Sequence, residues 1–440
     1  MKNIYSTLFL FSFALALFSQ DFDKAKMDSL FTTIDSHQKG MGSVSIFENG
    51  MPVYQNTIGY ADIEKEIIAN ENTKYRIGSI SKTFTAVIIM QLIDENKLTL
   101  NSKLSGFFPD IPNTNEITIE YLLRHRSGLY NFTNAEVYVN WMEKPKSREE
   151  LIQIFIDNGT VFEPNEKAEY SNTNYVLLSL IAEKIDDKNF SDILKKRITK
   201  PLKLKNTYYG GEINLENNEA LSYTKHEDWN LATETDMSIP MGAGSVVSTP
   251  TDLNTFYYSL FAGKLVSASS LEEMTKLVDN FGIGLFQIPF YEKKAFGHTG
   301  GIDGFQSNAA YFPADNVAVA YISNGVAMPM NNILIGVLSI YFGKEYALPD
   351  FKPGLEFSSE DLDKYLGIYS SPTFPLKVTI TKQGNNLIGQ ATGQPSFPLE
   401  AYEPNKFKFD QAMLKLDFLP EENKMILKQG GGEYELTRED

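Results

Sequence analysis

Apolar positions recur with two different periods along this chain. Between Ser79 and Glu95, Phe84, Val87, Ile88 and Leu92 follow i, i+3, i+4, i+8 spacing, the signature of a helix. Ile89, Met90 and Ile93 are apolar too, which predicts a helix buried on most sides. Residues 28–36, 119–126, 148–158, 173–185, 190–198 and 331–342 read as further helices. Strand signals flank this helical middle. Residues 42–47 alternate, and Asn49-Gly50 forms a tight-turn signal before a second strand over 53–60. Residues 282–285, 309–312 and 317–322 read as later strands, the last of them buried. A strand pair, many helices, more strands and a final helix predict an α+β domain with a largely antiparallel sheet.

The pattern changes at both ends. Leu348-Pro349 to Pro353-Gly354 marks a boundary, placing the main domain at 21–348 and a second at 355–440. The second contains short alternating runs at 376–380, 407–409, 414–418 and 425–427. Turn clusters such as Gln383-Gly384-Asn385-Asn386 and Gly430-Gly431-Gly432 separate them, which predicts a small antiparallel β-barrel or sandwich. At the other end, Lys2 precedes an apolar stretch from Leu8 to Phe18, followed by the polar run Asp21-Phe22-Asp23-Lys24. Residues 1–20 therefore read as a secretory signal peptide, cleaved near Ser19 or Gln20. A membrane anchor would need about 20 apolar residues. The mature chain is thus expected to be exported, periplasmic or secreted, without a membrane span.

Composition narrows the function classes. The chain has 440 residues, 42% of them hydrophobic and 22% charged, a globular balance that leaves ample material for a core. Its net charge of −16 disfavours nucleic acid and anionic membrane surfaces as partners. With no cysteine there is no disulfide framework and no thiolate metal site. The four histidines, His37, His125, His226 and His298, do not pair at metal-ligand spacing, so no metal is expected. P-loop, dinucleotide-binding and Gly-x-Ser-x-Gly patterns are missing, and no cofactor is indicated.

Three short patterns carry candidate chemistry. Ser-x-x-Lys occurs at Ser36/Lys39, Ser79/Lys82 and Ser222/Lys225, but only Ser79 opens the long apolar helix. There Ser79 and Lys82 share a face of the first turn, where unpaired backbone N–H groups favour negative charge. A lysine can deprotonate a serine hydroxyl if burial and nearby positive charge lower its pKa. Tyr-x-Asn occurs at Tyr54/Asn56, Tyr138/Asn140 and Tyr170/Asn172, the last in a loop entering a helix. His298-Thr299-Gly300-Gly301 reads as a glycine-rich strand start, where a substrate backbone can approach and N–H groups can hold an oxyanion. Each pattern alone also has an ordinary structural reading: an N-cap, a packed tyrosine, a glycine turn.

Taken in order, and with Ile117–Leu129 and Gly242–Leu253, these patterns resemble the serine β-lactamase-related family. The likeness is closest to class C β-lactamases, DD-carboxypeptidases and related esterases, and it covers roughly Asp28 to Gly343. It implies a β-lactamase/transpeptidase-like fold in which Ser79 is the nucleophile and Lys82 and Tyr170 handle its proton. Which of those two is the general base stays open. Asn172, His298, Thr299 and Gly300 would bind substrate, and the N–H groups of Ser79 and Gly301 would form the oxyanion hole. His298 stands where the family usually has lysine, so a substrate carboxylate would be held less firmly. Asn165 replaces a glycine, and Arg124 and Arg126 replace threonines, differences assigned to loop packing. The C-terminal domain resembles the lipocalin-like modules appended to some of these hydrolases. The implied activity is hydrolysis of a small ester, a D-amino-acid peptide or a β-lactam through an acyl-enzyme. The alternative is a penicillin-recognising sensor that acylates with little or no turnover. The implied partner is a small-molecule or peptide substrate.

Overall fold

The computed structural model describes residues 22–439, apart from 352–354, 356, 410, 411, 413, 430 and 431. The signal peptide expected over 1–20 lies outside the described residues. A six-stranded antiparallel sheet organises the larger part of the chain. Its spatial order is Phe286–Phe290, Lys293–Ile302, Phe305–Phe312, Val317–Val326, Gly40–Glu48, Met51–Ile58. The apolar run at 317–322 is explained by burial on both faces. Val317, Val319 and Tyr321 enter one core, while Ala318, Ala320 and Ile322 enter the other.

Two helices cover the first face. Lys24–Ser36 contributes Met27, Leu30, Phe31 and Ile34, and Met330–Tyr341 contributes Ile333, Val337 and Ile340. The second face carries the larger core, built around the helix Ser81–Asp94. Because that helix is apolar all round, it is enclosed by Asn172–Asp186, Pro250–Phe261 and their neighbours. Phe84 stacks on Phe256 with ring centroids 3.8 Å apart.

Most predicted elements form close to their expected limits, and three differ instructively. Residues 282–285 are a bend rather than a strand, and the strand starts at Phe286. Gly284 has φ +65°, and a Cβ there would lie 2.5 Å from Ala86 Cβ on the buried helix. The helix predicted over 119–126 stops at Leu123, because His125 adopts φ +57°. Phe190–Leu194 is α-helical, and the remainder, Lys195–Thr199, opens into a π-turn.

Beyond residue 355 the chain forms a closed antiparallel barrel of eight strands in sequence order, from Gly367–Ser371 to Gly432–Arg438. The first and last strands pair at Tyr369–Arg438 and Ser370–Thr437, so the ring closes. Tyr365, Tyr369, Phe407, Leu416, Phe418 and Met425 fill its interior. Of the two architectures expected here, barrel or sandwich, the chain adopts the barrel.

Candidate active site

The site lies where the buried helix, the helix Asn172–Asp186 and the strand Lys293–Ile302 converge. Ser79 sits in a 3-10 turn, Gly78–Ile80, that leads directly into Ser81–Asp94. Gly78 makes this turn possible. Its φ is +50°, and a Cβ would lie 2.8 Å from both Gly301 N and Gly301 O. Gly300 is just as confined, since a Cβ there would meet Ile77 O at 2.1 Å. The segment 77–79 and the backbone of Gly300-Gly301 therefore touch without intervening side chains. Ser307 Oγ ties the contact by donating to Ile77 O at 2.8 Å. This places the N–H groups of Ser79 and Gly301 on two facing segments, the arrangement an oxyanion hole needs.

One expectation needs correcting here. His298–Gly301 occupies the far end of its strand rather than the start. The neighbouring strand pairs only with residues 293–297, so 298–302 are hydrogen-bonded on one side and leave a free edge.

Lys82 lies one turn below Ser79 and is fully buried. Its Nζ is 3.0 Å from Ser79 Oγ, 2.8 Å from Asn172 Oδ1 and 2.8 Å from Ala243 O. None of these partners is a carboxylate. Burial without a compensating anion pushes the lysine pKa well below its ordinary value. A neutral amine fits the three partners well. Once deprotonated, the amine can keep N–H bonds to Asn172 and Ala243 and turn its lone pair toward the serine hydroxyl.

Ala243 was not legible as a site residue, because only its carbonyl takes part. The segment Met241–Gly244 presents that carbonyl. Thr85 Oγ1 donates to Gly242 O at 2.7 Å, which fixes the segment to the buried helix. Gly242 allows the approach, since a Cβ would lie 2.6 Å from Ser179 Cβ.

Tyr170 and Asn172 both reach this point from the start of the second helix. Ser171, not Asn172, is the N-cap residue, which leaves the Asn172 side chain to face Lys82. Asn172 Nδ2 donates to Thr133 Oγ1 at 2.9 Å, fixing the amide orientation. The Tyr170 hydroxyl faces Ser79, which lowers its pKa, but burial outweighs this and the net shift is upward. Lys82 Nζ lies 4.9 Å from the Tyr170 ring centroid.

A closed ring of aromatic contacts positions Tyr170. His125 stacks on it at 4.4 Å, and His298 approaches from the other side at 6.3 Å. Phe286 joins His298 at 4.7 Å, Phe281 joins Phe286 at 5.4 Å, and Phe281 returns to His125 at 5.1 Å. His125 accepts a hydrogen bond from Ser171 N through Nδ1. Burial, and next the charge of Lys82, hold the His298 pKa at about 3. His298 is therefore neutral near pH 7, less cationic than its ordinary pKa suggests.

Thr299 is exposed at the free edge and Gly300 half-buried. The loop substitutions do concern packing. Asn165 has φ +71°, a backbone region where glycine is the usual residue. Its side chain accepts from Arg126 Nε at 2.7 Å. Buried Arg124 donates to Lys276 O and to Glu273. The other motif copies lie elsewhere. Ser36 ends the first helix, Ser222 Oγ accepts from Gly304 N, and Tyr54 donates to Asp28. Among the described residues, no group of three His, Asp or Glu side chains could hold a metal ion, and no helix is long and apolar enough to cross a membrane.

Comparison with known proteins agrees with this geometry. The family model described as Beta-lactamase matches residues 27–335. Penicillin-binding protein 4* of Bacillus subtilis is 25% identical over 94% of this chain and 98% of its own length. The teichoic acid D-alanine hydrolase of Staphylococcus aureus is 27% identical over 61% of this chain and 65% of its own. Among solved structures, the D-amino acid amidase of Ochrobactrum anthropi SV3 complexed with D-phenylalanine superimposes with a TM-score of 0.66 at 26% identity. That match covers 73% of this chain and 99% of the amidase. The chain belongs to the beta-lactamase family of serine hydrolases.

Proposed function

We propose that this protein is an exported hydrolase that cleaves D-aminoacyl esters or amides through an acyl-enzyme on Ser79. The observation that carries the reading is the buried Lys82 amine, 3.0 Å from Ser79 Oγ and without a carboxylate partner. As Ser79 Oγ attacks the carbonyl carbon, its proton passes to Lys82 Nζ, and the N–H groups of Ser79 and Gly301 receive the oxyanion. The tetrahedral intermediate collapses, and the leaving alcohol or amine takes that proton, with Tyr170 placed to relay it. Water then attacks the acyl carbon, again losing its proton to Lys82, and Ser79 is regenerated. Lys82 is the better general base of the two candidates, since burial lowers its pKa but raises that of Tyr170.

Substrate class follows from charge and from the relatives. His298 is neutral near pH 7, and burial disfavours the charged form of Lys82, so neither position offers a firmly held cation for a free carboxylate. This disfavours β-lactams and peptides ending in a carboxylate relative to neutral esters and amides. The D-alanine hydrolase and the D-amino acid amidase support a D-aminoacyl group. Export rests on Lys2 and the apolar stretch from Leu8 to Phe18.

Intact mass after treatment with a fluorophosphonate probe tests the mechanism. One adduct is expected on the protein and none on Ser79→Ala. D-phenylalanine amide, a D-alanyl ester and a chromogenic β-lactam should then be turned over with decreasing efficiency. An acyl-enzyme that forms but never releases product would replace this reading with a sensor.

A further inference from the structure

The free edge of the strand Lys293–Ile302 raises a mechanical question. Residues 298–302 are paired on one side only, yet Gly301 must hold its N–H in register with Ser79. A second attachment is needed, and it lies in the hairpin turn itself.

Asp303 follows Gly301 by two residues, has φ +54°, and its side chain is only 1% exposed. Its Oδ2 accepts from Arg76 at 2.9 Å, and its Oδ1 accepts from Thr235 N at 2.9 Å and Thr235 Oγ1 at 2.6 Å. Arg76 precedes Ser79 by three residues, and its guanidinium is likewise buried. The same guanidinium donates to Thr235 O, Gly211 O and Glu234 Oε1. One planar, charged group thus joins the segment entering the nucleophile to the turn leaving the oxyanion strand. Between these two anchors lies the close contact of Gly78 with Gly301 and of Gly300 with Ile77.

We propose that the Arg76–Asp303 pair, braced by Thr235, is a positioning clamp that sets the separation of the Ser79 and Gly301 N–H groups. Neither residue touches the reacting atoms in this scheme. Both act through the backbone segments they hold, and the inference rests on the Ser79 acyl-enzyme reading.

The test uses the full chain and two variants. Asp303→Asn keeps the shape and the Thr235 bonds, but replaces the anionic acceptor facing Arg76. Thr235→Val deletes the hydroxyl's bonds to Asp303 and Tyr138 and leaves the ion pair. Stopped-flow acylation by p-nitrophenyl acetate separates the limiting rate from the half-saturating concentration. Inhibition by phenylboronic acid, whose serine adduct is tetrahedral, reports the oxyanion hole directly. Asp303→Asn should lower the limiting rate about 10–30-fold with half-saturation changed less than twofold, because a misplaced donor loses part of the ~10²–10³ that one oxyanion donor provides. Boronate affinity should weaken by a similar factor, and Thr235→Val should lower the rate about threefold by the same route. If both variants acylate and bind boronate within twofold of the parent, whatever their melting temperatures, the clamp is refuted. Should Asp303→Asn fail to fold, Thr235→Val decides. A parent that neither turns over nor takes the fluorophosphonate label overturns the hydrolase reading and the clamp with it. A labelled parent with unaffected variants overturns the clamp alone.

Discussion

Gly300→Ala isolates the contact between the nucleophile segment and the oxyanion strand. The backbone of Gly300 does not have a positive φ, so alanine brings no conformational penalty and the cost is steric. The new Cβ would lie 2.1 Å from Ile77 O and 2.4 Å from Ser307 Oγ, two atoms already hydrogen-bonded to each other. Ser307 Oγ can rotate only by giving up its bond, and Ile77 O is a main-chain atom that cannot rotate at all, so the strand must retreat by about 1 Å to reach ordinary contact. A displacement of that size at a reacting centre costs on the order of 10²-fold in rate, roughly 2.7 kcal/mol of transition-state stabilisation. Folding stability should fall too, by about 1–3 kcal/mol for overpacking and about 1 kcal/mol for the strained Ser307 bond. Stopped-flow acylation and urea unfolding measure the two effects separately. Gly301→Ala supplies the control, because a Cβ there meets only Phe305 O, at 4.0 Å, and should leave stability unchanged. Acylation of Gly300→Ala within threefold of the parent would refute the geometry.

Three further outcomes are expected. Acid should destabilise the protein through its buried histidines. The unfolded chain takes up protons below about pH 6.5, whereas His298 resists until about pH 3. Stability is therefore lost as pH falls through that window, at about 1.4 kcal/mol per pH unit for this residue, and urea unfolding at pH 7 and pH 5 should show a drop of about 2 kcal/mol. His125, whose pKa is also lowered, adds to the loss in the same direction. Acylation should decline as pH falls through the depressed pKa of Lys82, and Lys82→Met should abolish that limb and lower the rate by about 10²–10⁴, read from fluorophosphonate labelling across pH. In the barrel, Tyr365 packs on Phe407 and Phe418, each 5.0 Å away, and Tyr365→Ala should cost about 3–5 kcal/mol in calorimetry while Ser79 labelling is unchanged.

The sequence made some of this architecture plain for identifiable reasons. The helix after Ser79 is apolar on every face and could only be buried, while 317–322 combines length and β-branching in a way that fits a two-faced strand. Residues 282–285 misled because Gly-Ile-Gly-Leu carries an apolar rhythm that in the fold serves a close approach to Ala86. In the barrel, Gly367–Ser371 and Phe397–Glu403 escaped notice, since glycine, serine and proline dilute their alternation. Among candidate site residues, those with distinctive side chains were visible by motif. Ala243 was not, because a carbonyl leaves no trace in residue type. Arg76 and Asp303 were hidden for a different reason: 227 positions separate them, and no local pattern links them.

The Lys82 amine is held partly by the carbonyl of Ala243, and the proposed oxyanion hole consists of two peptide N–H groups. A main-chain group survives any substitution that preserves the path of the backbone. Selection on such a site acts chiefly on where the chain runs, and on the few glycines that permit it. Most surrounding positions are then open to mutational drift. On this view, relatives that agree at only a quarter of their positions can keep the same backbone path. It also indicates where inactivating mutations should concentrate in a random library: at Gly78, Gly242 and Gly300 as much as at the serine itself.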